Sequence, residues 1–297
     1  MHMYLRSAGF SNYKKRNDIK ILLDKLERAN IDKMRAVHFN GDEMRWEINA
    51  KVTPTMGVYL IGAVDNGSGD YIREYYFPYI NSEDKSLQLP CSIQRKIDYD
   101  IFSGVVEDER MNISLIFRLN NNLEYLDRFI KRKSVDSKAI YLSAWSGSGK
   151  VILPVGKASL NYSDSVGEEK NKKYDLFEKT DGIDDDSFSS LSEDIYLYNS
   201  VSKRLLREDV YSIVDSCFVP YGIECEIYSV LGNILRVESY KNYYTDELIY
   251  DLTLECNDIL LHVGINKRDL EGEPLAGRRF RGVIWLQGRI EFEEDKI

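Results

Sequence analysis

Arg279, Arg281, Trp285, Gln287 and Arg289 occupy alternate positions in the segment RFRGVIWLQGRIEF, residues 279–292. Alternate side chains of a strand point to opposite faces. These five therefore share a face with Val283 and Glu291, while Phe280, Ile284, Leu286, Ile290 and Phe292 share the other. Guanidinium groups beside an indole are the chemistry that holds a single nucleic-acid strand, by phosphate contact and base stacking. The same face could equally seat another part of the protein, with its arginines paired to acids there. The sequence favours this second use, and the exposure of Trp285 separates the two.

Other residues offer weaker chemistry. Glu224 and Glu226, and likewise Asp98 and Asp100, stand two apart. On a strand each pair shares a face and could hold a metal or a proton, although solvated strand faces carry such pairs commonly. Asp184, Asp185 and Asp186 could attract a cation or a basic partner, but they read as solvated linker. Trp145-Ser-Gly-Ser-Gly-Lys150 looks like a phosphate-cradling loop. However, Ala144 and Val151 stand where that loop needs glycine and a hydroxyl residue. A strand-like Val-Ile-Leu-Pro-Val follows instead of a helix whose N-terminus could face phosphate. The segment reads as a hairpin turn.

The four cysteines, Cys91, Cys217, Cys225 and Cys256, form no C-x-x-C pair, and there are three histidines. No zinc spacing results, so the cysteines read as buried free thiols. His38 and His262 fall within strands and read as structural, and His2 as terminal and free. No catalytic residue, metal or cofactor is assigned.

These groups need elements to position them. Ile19, Leu22, Leu23 and Leu26 make an apolar stripe on a helix over about 17–29. A shorter helix covers Met3 to Ala8 and ends at Gly9. The period then changes to two. Strands are expected at 34–39 and 44–52, with Met44, Trp46, Ile48, Ala50 and Val52 on one face and Arg45, Glu47, Asn49 and Lys51 on the other. Further strands fit 57–64, 71–79, 92–106 and 112–119, then a helix 122–132 and a hairpin from 139–145 to 150–155. After two helices at about 192–205 and 207–216, five strand segments follow at 224–230, 233–240, 247–256, 259–266 and 279–292. That density suggests a small, strongly bent barrel of the OB type.

The chain has 297 residues and a net charge of −9. Residues 163–195 carry eleven acids and four bases, so this segment supplies −7 of that total. The acidic average therefore says little about the partners of the folded parts. No apolar run approaches the ~20 residues of a membrane-spanning helix, and the N-terminus lacks the basic and apolar regions of a secretory signal. The expected class is α+β, with an N-terminal antiparallel sheet domain (1–160), an acidic linker or loop (161–190), and two helices plus an OB-like barrel (191–297).

Three segments are familiar together: Tyr4-Leu-Arg-Ser-Ala-Gly-Phe10, Val219-Pro-Tyr-Gly-Ile-Glu-Cys-Glu-Ile-Tyr-Ser-Val-Leu-Gly232, and Ile265-Asn-Lys-Arg-Asp-Leu-Glu-Gly-Glu-Pro274 with Gly277-Arg-Arg-Phe-Arg-Gly-Val-Ile-Trp-Leu-Gln-Gly288. They resemble a family of uncharacterised proteins from clostridial-type Firmicutes. The resemblance implies a bacterial cytoplasmic protein and brings no activity with it. The expected function is a non-catalytic binding or regulatory protein with a protein partner. The alternatives are an enzyme with an inter-domain site and single-stranded nucleic-acid binding by the barrel face. Oligomeric state is left open.

Overall fold

The computed structural model describes residues 3–39, 43–65, 67–95, 101–108, 113–153 and 216–294. Helix α1, Arg16–Asn30, buries the expected stripe of Ile19, Leu22, Leu23 and Leu26. Ahead of it lies a short 3-10 turn, Met3–Leu5, and Gly9 takes a left-handed backbone with φ 83°. Glycine adopts that conformation without a Cβ clash.

Strands β1 (Arg35–Phe39), β2 (Glu43–Lys51), β3 (Met56–Val64) and β4 (Tyr71–Ile80) form an antiparallel four-stranded meander. Trp46, Ile48 and Ala50 of β2 join the α1 stripe in one apolar cluster. The alternate residues, Glu47 and Asn49, lie on the opposite face, in register with Ile61 and Tyr59 of β3. Tyr75 and Phe77 of β4 continue that face across the sheet.

The remaining strands are β5 (Ser92–Arg95), β6 (Phe102–Asp108), β7 (Ile113–Leu119), β8 (Ser137–Ile152), β9 (Cys217–Pro220), β10 (Ile227–Lys241), β11 (Leu248–Cys256), β12 (Ile259–Asn266), β13 (Leu270–Glu271) and β14 (Arg279–Phe292). Helix α2, Asn122–Ile130, lies between β7 and β8. These strands make a second, ten-stranded sheet. Within it β8 pairs with β12, β12 with β11, β11 with β10, β10 with β14, and β14 with β8. The path of pairings thus returns to the strand where it began. Ile140, Leu142, Ala144, Leu252, Leu254, Leu261, Val263, Ile284 and Leu286 fill one buried core on these five strands. Strand β14 runs over the expected 279–292, and its two faces part as expected. Phe280, Ile284, Leu286, Ile290 and Phe292 join this core, while Trp285 joins the cluster of the meander and α1.

The α+β class holds, with far more strand than helix. Several expected boundaries move, because strand pairing outweighs local turn signals. Residues 145–150 are no hairpin turn, since β8 runs straight through them. Gly149 is needed there for packing, because a Cβ at this position would lie 2.3 Å from the Phe280 ring. The expected break at Gly232 is likewise absent, and β10 is continuous between its neighbours. In the other direction, the one strand expected over 92–106 is two strands, β5 and β6.

The expected division separated 1–160 from 191–297. The described residues before 154 and after 215 group as one compact unit. The physical reason is β8, whose two edges are satisfied by β12 and β14 from the far end of the chain. The acidic segment 161–190 and the helices expected at 192–216 fall outside the described residues. None of the described helices is long and apolar enough to cross a membrane.

Candidate functional site

The five residues singled out on β14 do share one face, which is covered at Arg279, Trp285 and Gln287 and half-covered at Arg281 and Arg289. Trp285 is 6% exposed. Its ring stacks on Tyr4 at 5.4 Å between centroids, and Phe77 of β4 meets it edge-on at 6.3 Å. The indole Nε1 donates to Glu226 Oε2 at 3.4 Å. Gln287 is fully buried and donates to the Pro78 carbonyl at 2.7 Å. Arg279 is buried and donates from Nε and Nη2 to the Leu153 carbonyl at 3.1 and 3.0 Å. Arg281 is half-buried, in register with Lys150 of β8. Arg289 is half-buried, with its guanidinium 4.2 Å from the centroid of the Tyr141 ring. The face is a seam against the meander and the N-terminal segment. As a stacking platform for bases it has lost its aromatic.

The N-terminal segment closes the seam through hydrogen bonds to its backbone and side chains. Asn266 Nδ2 donates to the Arg6 carbonyl (3.1 Å), Asn242 Nδ2 to that of Ala8 (2.8 Å) and Thr245 Oγ1 to that of Gly9 (2.6 Å). Ser7 Oγ donates to the Ser146 carbonyl at 2.8 Å. Arg6 pairs with Asp269 at 2.6 Å. Buried Glu247 accepts from Ser11 Oγ at 2.7 Å and from Asn266 Nδ2 at 2.7 Å. The segments YLRSAGF and INKRD, 255 or more residues apart in sequence, are therefore one contact.

Deeper in the seam sits a polar group the strand pattern did not single out. Glu47, expected on the face of β2 opposite Trp46 and Ile48, is 5% exposed, and its Oε2 has no hydrogen-bond partner among the described residues. Burial pushes this carboxyl up to about 7; Arg35 opposes the shift and Glu124 adds to it. With Ile61, Tyr75, Asn122 and Leu123 it lines a cavity of about 10 Å³, the room of a single water molecule and not of a substrate. Burial also holds the Tyr59 phenol well above its ordinary value, with Glu47 and Tyr79 adding to the shift. Arg118 is buried with its guanidinium 4.6 Å from the Phe77 ring centroid.

A second polar cluster lies on β11 and β12. His262 Nδ1 is 3.0 Å from Asp251 Oδ1, and its Nε2 is 2.9 Å from Asp84 Oδ2. Arg236 Nη2 donates to the same Asp84 oxygen at 2.8 Å. Burial alone would lower the imidazole's pKa. Hydrogen bonds to Asp251 and Asp84 and the charges of both outweigh it, so the pKa is raised. With both ring nitrogens engaged, His262 fastens the loop after β4 to strands β11 and β12 and is not poised as a base. This confirms the expectation of a structural histidine. A raised imidazole pKa stabilises the fold below the ordinary value of 6.5 and loses that effect as pH rises through the folded pKa. We expect the urea midpoint of the wild type to carry a fall that sets in as pH rises above 6.5, and His262→Asn to flatten that fall.

The other sequence candidates separate. Glu224 and Glu226 lie in a bend and a turn, not on a strand, with Glu224 exposed and Glu226 buried. They do not share a face. Buried Glu226 accepts from Ser103 Oγ at 2.6 Å. His38 is exposed on β1 and so is no buried structural histidine. Of the four thiols only Cys256 is buried; Cys91 and Cys217 are half-buried and Cys225 is exposed. Asp98, Asp100, Asp184, Asp185, Asp186 and His2 lie outside the described residues. Among the described residues no group of three or more His, Cys, Asp or Glu side chains is placed to hold a metal ion.

Searches of curated proteins and of solved structures return no match. A family model does match, over residues 5–288, and its description reads "Domain of unknown function, E. rectale Gene description (DUF3881)". That span runs from the Tyr4–Phe10 segment to the middle of β14 and takes in both halves of the seam, so the chain belongs to this DUF3881 family.

Proposed function

We propose that the protein is a non-catalytic binding protein of the bacterial cytoplasm, built on an OB-like five-stranded barrel, and that it engages a protein partner. The observation that carries this reading is an exposed apolar run beside the short strand β9. Val219 is 52% exposed, Tyr221 55% and Ile223 100%. Among the described residues strand β9 pairs only with β10, and an edge strand of this kind is where a partner can add backbone hydrogen bonds. Adjacent exposed apolar side chains of this size mark contact surfaces. The groups with chemical potential, in contrast, are spent on internal contacts: Trp285 on Tyr4, His262 on two aspartates, Glu247 on the N-terminal segment. Free thiols support the cytoplasmic location.

The test is a tagged-protein pull-down from the native host, comparing wild type with Tyr221→Ser/Ile223→Ser. Both side chains are exposed, so melting should move little. A specific partner retained by wild type and lost by the double variant is the expected result. Retention by both, or by neither, overturns the assignment of this surface.

A further inference from the structure

Glu47 stands apart from the other buried acids. Asp251 has His262, Glu247 has Ser11 and Asn266, and Glu226 has Ser103 and Trp285. Glu47 Oε2 is buried with no hydrogen-bond partner among the described residues and lines the small cavity between the meander and α2. The groups around it come from every neighbouring element. Arg35 of β1 is its register partner. Its own strand supplies Arg45, which pairs with Glu74 of β4 at 2.8 Å and so is held toward another acid. Tyr59 of β3 and Tyr75 of β4 are buried or half-buried phenols on the same sheet face. Helix α2 brings Glu124, a like charge, together with Asn122, Leu123 and Leu126. Arg289 of β14 lies beyond Tyr59.

We propose that Glu47 is a proton-operated latch on α2. With the carboxyl protonated, the helix packs closed over β2. With it ionised, the buried charge draws water into the cavity and loosens the helix from the sheet. The geometry supplies both halves of this device. An unpartnered buried carboxylate must gain water or neutralise. The wall that can yield is α2, two and a half turns long and held at its N-terminal side by Leu123 and Leu126, with Phe129 58% exposed and Ile130 39% exposed. The upward shift of the Glu47 pKa to about 7 puts the transition near neutral pH.

The test is amide hydrogen exchange of residues 122–130 in the intact protein at pH 5.5 and 8.5, corrected for intrinsic rates. If opening returns the carboxyl from about 7 to its ordinary 4.5, the opening constant of α2 rises about thirtyfold between these pH values. Glu47→Gln should remove that rise while leaving α1 unchanged. A wild-type α2 whose protection does not change with pH, or a variant that keeps the change, overturns the latch. If the variant fails to fold, the ¹³C titration of the Glu47 carboxyl in wild type decides. A midpoint near 7 with matching shifts in α2 resonances supports the latch. A midpoint near 4.5, or one near 7 without α2 shifts, overturns it.

Discussion

Trp285→Ala is expected to lower the unfolding free energy by about 3–5 kcal/mol, the range for truncating a buried large aromatic. The size follows from position. The ring is 6% exposed, stacked on Tyr4 and edge-on to Phe77, and belongs to the cluster that unites the meander and α1 with residues of β8, β10, β11 and β14. Truncation would leave a hole where three parts of the fold meet, and would strip buried Glu226 of one of its donors. A tryptophan serving as an open ligand platform behaves differently, because surface substitutions change stability by about 0.5 kcal/mol or less. Chemical denaturation of the variant therefore separates the two uses of the β14 face by magnitude alone. Trp285→Phe, which keeps a ring against Tyr4, should lose less than the alanine variant.

Glu47→Gln is expected to stabilise the protein at pH 8 and to leave it nearly unchanged at pH 4.5. The folded pKa of Glu47 is raised from 4.5 to about 7, so the folded state holds a proton that the unfolded chain has released. Stability therefore falls as pH rises from 4.5 towards 7, and is level above that. The integrated loss is about 3 kcal/mol, at 1.36 kcal/mol for each pKa unit. A neutral amide of the same shape does not carry this loss. Urea melts of both proteins from pH 4.5 to 8.5 should converge at the acid end and diverge through neutrality. Parallel curves would show that the Glu47 carboxyl is solvated as in the unfolded chain. This expectation concerns global unfolding and holds whether or not α2 opens on its own.

How far these residues were legible in the sequence depends on the range of the forces that place them. The alternation in 279–292 predicted both faces of β14, because the period of two is a local property of extended backbone. The same reasoning split α1 and β2 correctly into apolar and polar sides. It failed on what covers each side. Arg45, Glu47 and Asn49 read as the polar side of β2, yet helix α2 lies over Arg45 and Glu47, and the chain does not announce a second layer by local pattern. Glycine signals misled at 147–149 and at Gly232. There the residue permits close packing or strand passage, not a turn, and long-range pairing settles the matter. The Asp84–His262 contact spans 178 residues and the Trp285 stack on Tyr4 joins the two ends of the chain. Two aspartates and one histidine, far apart in the chain, carry no spacing that would point to such a contact. The strands β11, β12 and β14 were legible from Leu248 onward, whereas β8, which pairs with β12 and β14, lies before residue 153 and was read as part of another domain.

The central claim is that the Arg/Trp face of β14 is an internal seam. Iodide quenching of tryptophan fluorescence in the native protein tests it most directly. The chain has three tryptophans, and Trp46, Trp145 and Trp285 are 1%, 0% and 6% exposed. The account predicts blue-shifted emission with almost no fraction accessible to iodide, and the same result for Trp285→Phe. An accessible component in wild type that disappears in Trp285→Phe would contradict it, and would return that face to solvent and to ligands.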